Sequence, residues 1–190
     1  GLPGVEQLEA AAAAVGELTT PLRDREVLAA YLLEQGHVQA AERRIRQMAT
    51  AFPEVADSPQ LAQLLRVLDA FPRFLRAAQR QGLLKGLRGR IEKRLGEQWQ
   101  TLDKDLHDPA HDRHRLRLLI KRVRYAIEAY PELDRLPAAA MARLKAAQSA
   151  LGDWHDCWQW LARIEHEPDL LPCVAVWQQT MLQAQERADR

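Results

Sequence analysis

The sequence predicts an all-α protein, an arrangement of antiparallel helical bundles, on three observations. Ala, Leu, Arg, Gln and Glu are abundant, while Val, Ile, Thr and aromatic residues are few, a bias that favours helix over strand. No apolar/polar alternation of useful length occurs, and apolar residues recur instead at helical spacing. The links between these segments are short, and long helices with short links pack antiparallel. With 190 residues, 47% of them hydrophobic and 28% charged, the chain suffices for one sizeable domain or two small joined bundles.

The elements follow from local signals. A first helix is expected from about Val5 to Leu18, interrupted at Thr19, Thr20 and Pro21. RDREVLAAYLLEQG is a second, closed by Gly36 as a C-terminal cap. HVQAAERRIRQMATAF is a third, stopped by Pro53. Ser58 and Pro59 read as N-cap and first helical residue of SPQLAQLLRVLDAF. From Leu83 the helices lengthen, which sets an expected boundary between 1–82 and 83–190. LLKGLRGRIEKRLGEQWQTLDKDL carries a packed face at 84, 87, 91, 95, 99 and 102, with Gly86 and Gly89 inside the helix. Asp108 and Pro109 are expected to start the next helix, and Pro131 and Pro137 to bracket the turn into another from about Ala138 to Glu165. Pro168 and Pro172 close that one, and a last helix fills Cys173 to about Ala188.

A net charge of +1 does not suggest a general nucleic-acid binder, so any anion site must be local. Cys157 and Cys173 have no metal-type spacing and make no disulfide framework, which fits a reducing, cytoplasmic compartment. No apolar run is long enough to span a membrane, and the start lacks the features of a signal peptide. Without an initiator Met, the chain is read as a processed or excised piece of something longer.

The most informative segment is HRLRLLIKRVRYAIEAY. His114, Arg117, Lys121 and Arg124 fall within roughly 80° of arc on one helix, apart from an apolar seam of Leu116, Ile120, Val123, Ile127 and Tyr130. Six Arg or Lys residues and no acid lie between Arg113 and Arg124, so an anion is the natural compensation. Guanidinium groups match phosphate bidentately, and donors repeated at each turn suit an extended polyanion better than one small phosphate. Glu128, four residues after Arg124, is placed to hold that arginine. Arg122 is a further cation of the segment, and Tyr125 is placed to stack. The same run also fits a solvated charged face.

A second cluster is LGDWHDCWQWL. Leu151, Trp154, Trp158 and Leu161 share a face expected to be core, with Lys145, Gln148, Gln159 and Arg163 on a polar flank. His155 and Asp156 stand at its margins, and Asp156 is a candidate to orient a cation of the basic helix. Gly152 in mid-helix hints at close packing by a neighbour. Arg43, Arg44 and Arg46 read as surface charge, whereas Arg88, Arg90, Lys93 and Arg94 read equally as surface or as further walls of a basic groove. His107, His111 and His114 do not make a convincing metal site, because Pro109 breaks the helix that would align them. No cofactor or catalytic motif is found.

HRLRLLIKRVRYAIEAY followed about thirty residues later by AAQSALGDWHDCWQWL resembles the CHAD domain, the conserved histidine α-helical domain. The pattern HxxRxxxKxxRYxxE is matched by His114, Arg117, Lys121, Arg124, Tyr125 and Glu128. QxxLGxxxD is matched by Gln148, Leu151, Gly152 and Asp156, with His155 beside it. The resemblance implies two pseudo-symmetric helical bundles around a basic cavity that binds inorganic polyphosphate, in a mostly bacterial family sometimes fused to a CYTH-type triphosphatase. It implies a non-catalytic module in which His114, Arg117, Lys121, Arg122, Arg124 and Lys145 bind phosphate, and Glu128 and Asp156 orient them. Arg23, Arg90, Arg94, Tyr125 and His155 are additional candidates. GELTTPLRDREVLAAYL resembles the second helix of an N-terminal repeat, with Arg23 and Asp24 at its RD position, and the basic helix expected before it is missing. A regulatory role beside a triphosphatase and nucleic-acid or metal binding are the alternative readings.

Overall fold

The computed structural model describes residues 4–108, 112–133 and 137–189, and among these it contains helices and no strand. The chain divides into two compact units, Gly1–Lys85 and Gly86–Arg190.

The first unit holds α1 (Val5–Glu34), α2 (Val38–Ala49), α3 (Ala51–Ala56) and α4 (Pro59–Arg80). The expected break at Pro21 does not occur, and α1 runs through it. Proline removes one ladder bond. Here Thr19 and Thr20 donate their hydroxyls to the Val15 and Gly16 carbonyls of the preceding turn, at 2.9 and 2.7 Å. Burial of Leu22, Leu28, Ala29 and Leu32 holds the continuous helix against α2 and α4. The helix ends as expected at Gly36, whose φ of 80° suits glycine. The N–H of His37 bonds the Leu32 carbonyl and that of Gly36 the Leu33 carbonyl, the Schellman arrangement.

Pro53 does not stop a helix either. The break falls at Thr50, and Pro53 sits in the first turn of α3, where its missing N–H costs nothing. Ser58 caps α4 by accepting from the Leu61 N–H at 3.2 Å, with Pro59 first in the helix. That helix continues past the expected end at Phe71, through Pro72, to Arg80. Arg44, read as surface charge, is 1% exposed and donates to the Ala40 carbonyl at 2.8 Å.

The second unit holds α5 (Leu87–Leu106), α6 (Arg113–Ala129), α7 (Ala138–Arg163) and α8 (Val174–Ala188), with short 3-10 turns at Pro131–Leu133 and Pro168–Cys173. Gly86 is not inside α5. It is the left-handed residue that starts it, at φ 69°. Each helix packs on its chain neighbour: α5 on α6, α6 on α7, α7 on α8. Leu102, Leu116, Leu119, Ile120, Val123, Ile127 and Leu151 form the core, with Trp99, Met141, Leu144 and Ala188 against it. Full burial of Leu102 and Ile120 contributes about 1.5–3 kcal/mol each. Trp160 and Trp177, with ring centroids 5.3 Å apart, join α7 to α8.

Two expectations for α7 fail. Trp158, assigned to the core, is 52% exposed, while Cys157 and Trp160 are buried in its place. A Cβ built on Gly152 would meet nothing within 4 Å, so no neighbour packs closely there.

Candidate functional site

The basic helix begins at Asp112, not at Asp108. The Asp112 carboxylate accepts from the N–H groups of His114 and Arg115 at 2.8 and 3.4 Å. Pro109 and His111 lie outside the described residues. From that start, burial of Leu116, Leu119, Ile120, Val123 and Ile127 fixes the rotation of α6. Tyr130, expected in the same seam, is instead exposed at the C-cap position just past Ala129. His114, Arg117, Lys121 and Arg124 are thereby left along one side, spanning about 15 Å.

Two contacts align this side with α7. Arg124 donates to Gln148 Oε1 at 2.7 Å and to Glu128 Oε1 at 2.6 Å, with its side chain only 16% exposed. At the other end the rings of His114 and His155 lie 4.8 Å apart. The helices are thus antiparallel, and Gln148, Gly152 and His155 of α7 flank the row. His155 is buried, and Asp156 is half-buried on the next position. Lys145 stands exposed one turn before Gln148. Lys121 places its ammonium 5.7 Å from the ring of Tyr125, which is itself exposed.

Most other arginines of the unit are paired. Arg115 forms a fork with nearly buried Asp105 at 2.7 and 3.1 Å, and Arg113 meets Asp189 at 3.3 Å. Arg187 meets Asp153 at 2.8 Å, and Arg88 meets Glu92 at 3.1 Å. Among the described residues no carboxylate pairs with Arg117 or Lys121. Arg122 points elsewhere: with Arg94, Glu97, Gln98 and Thr101 it lines a groove of about 500 Å³ between α5 and α6. Arg94 is paired there with Glu97 at 3.6 Å. Arg90 is exposed on α5, beside Tyr130 in a neighbouring groove, and Arg23 is exposed on α1 of the first unit.

Among the described residues no group of three or more His, Cys, Asp or Glu is placed to hold a metal ion. Burial first, and then the charges of Asp153 and Asp156, push the Cys157 thiol up to about 11, so it stays protonated near neutral pH. No described helix is long and apolar enough to cross a membrane. The role of Gln148 as partner of Arg124 is the feature that charge patterning misses, although its place in the QxxLG motif carries it.

Fold and site define an all-helical protein that presents a row of cations against a polar helix face. The family model of the CHAD domain matches residues 1–165, and the chain belongs to that family. No curated protein and no solved structure matches the chain. The family match ends before α8, yet α8 supplies Trp177 and Ala184, both fully buried.

Proposed function

We propose that the chain binds inorganic polyphosphate lengthwise along α6, as a module with no catalytic role of its own. His114, Arg117, Lys121 and Arg124 donate to successive phosphoryl oxygens, and Lys145 extends the row. Glu128 and Gln148 pre-set the Arg124 fork, and Asp156 stands near the His114 end of the row. Arg122 is left out because it faces the α5 groove. The observation that carries this reading is the absence of a carboxylate partner at Arg117 and Lys121 among the described residues, in a chain whose net charge is only +1. Membership of the CHAD family supports it.

Each cation that neutralises a phosphate adds about 0.7 to the slope of log affinity against log salt on a single-stranded polyanion. The double variant Arg117→Ala/Lys121→Ala should therefore lose about 1.4 of slope and bind long-chain polyphosphate more weakly at every salt concentration. Arg46→Ala removes an exposed, ion-paired charge from α2 and should leave the slope unchanged. A folded double variant with wild-type affinity and slope would overturn the assignment.

A further inference from the structure

We propose that the same site takes a nucleoside oligophosphate, with its phosphate chain on the α6 row and its base stacked on Trp158. This rests on the polyphosphate reading and names an end group for the chain.

Trp158 is anomalous. Tryptophan is strongly buried on average, and Trp160 and Trp177 behave so, but Trp158 is 52% exposed. It is not isolated. Its ring lies near-parallel to that of His155 (6.0 Å, 20°) and to that of Trp154 (6.4 Å, 10°). Buried His155 in turn touches His114, the first residue of the cationic row. An aromatic ladder therefore starts where the row of cations starts.

The two stretches differ in chemistry. Along α6 from His114 to Arg124 the exposed groups are donors and positive charges. Around Trp158 they are flat aromatic faces, those of Trp158 itself and of its ring neighbours Trp154 and His155, with no cation among them. A nucleobase is neutral and stacks on such faces. Two ring-to-ring steps, of 4.8 and 6.0 Å, connect His114 to Trp158, so the end of the cationic row and the exposed ring are neighbours.

Inorganic tetraphosphate and adenosine 5′-tetraphosphate separate the contributions of chain and base. The inorganic chain has one more ionisable oxygen, so charge alone favours it. Calorimetric titration of the full chain at one salt concentration should instead show the nucleotide binding roughly tenfold tighter, the worth of one base–aromatic stack. In Trp158→Leu, which alters a half-exposed side chain, the two ligands should bind alike and inorganic tetraphosphate should keep its wild-type affinity. Equal affinities in the wild type, or a nucleotide preference that survives in Trp158→Leu, would overturn the inference while leaving the polyphosphate reading standing. Failure of both ligands to bind the wild type would overturn the two together.

Discussion

Gly152→Ala should stabilise the second unit and weaken its ligand binding at once. Gly152 lies inside α7 with ordinary helical backbone, and an added Cβ would meet nothing within 4 Å. The substitution therefore has no steric penalty to set against the gain in helix propensity, about 0.8–1 kcal/mol. All five tryptophans (99, 154, 158, 160 and 177) belong to the second unit, so tryptophan fluorescence follows its unfolding alone. For a unit of this size the gain should raise the midpoint of a thermal melt by about 4–8 °C. The new methyl also stands between Gln148 and Asp156 on the side that flanks the cationic row, where it would crowd a polyphosphate chain bound as proposed and should lower affinity several-fold. A fall in melting temperature would refute the reasoning, since it would mean that an atom approaches Gly152 more closely than the structure shows.

Trp177→Ala should cost about 3–5 kcal/mol, because the side chain is fully buried against Trp160. A urea midpoint close to wild type would show that α8 is dispensable to the unit. Cys157 gives a pH signature. Its thiol titrates at about 11 when folded and 9.0 otherwise, so the unfolded chain loses that proton first as pH rises. Stability from this residue is intact below pH 9 and falls between 9 and 11, by on the order of 1–2 kcal/mol. Cys157→Ala should flatten that decline, measured as urea midpoints at pH 8 and 10.5. An identical decline in the variant would place its cause in other groups.

Much of the fold was legible because local signals and burial agreed. Ser58–Pro59 and Gly36 mark helix ends whose caps depend only on their own residues. The apolar seam of α6 is legible for a related reason, since Leu116, Ile120, Val123 and Ile127 serve a single buried side. Pro21 and Pro72 misled because the loss of one backbone bond is a local cost, outweighed by packing contributed by distant residues. Trp158 misled differently. α7 packs on both α6 and α8, so its buried arc is wide and includes Trp160 on the α8 side. Since His155 already meets His114, the second residue of α6, Trp158 one turn further on lies past the start of that partner. For the site, spacing gave the row and the Glu128 pairing. It also set Arg122 about 100° around the helix from Lys121, off the row, but could not show that α5 is what lies on that side.

The hairpin of α6 and α7 has a consequence for how this chain acquires its site. Every principal helix contact of the second unit joins neighbours in sequence, a topology of low contact order that folds in microseconds to milliseconds. The Arg124–Gln148 bond spans 24 residues and closes across a single link between Ala129 and Ala138. The row of cations and the helix that flanks it are therefore brought together by one αα-hairpin.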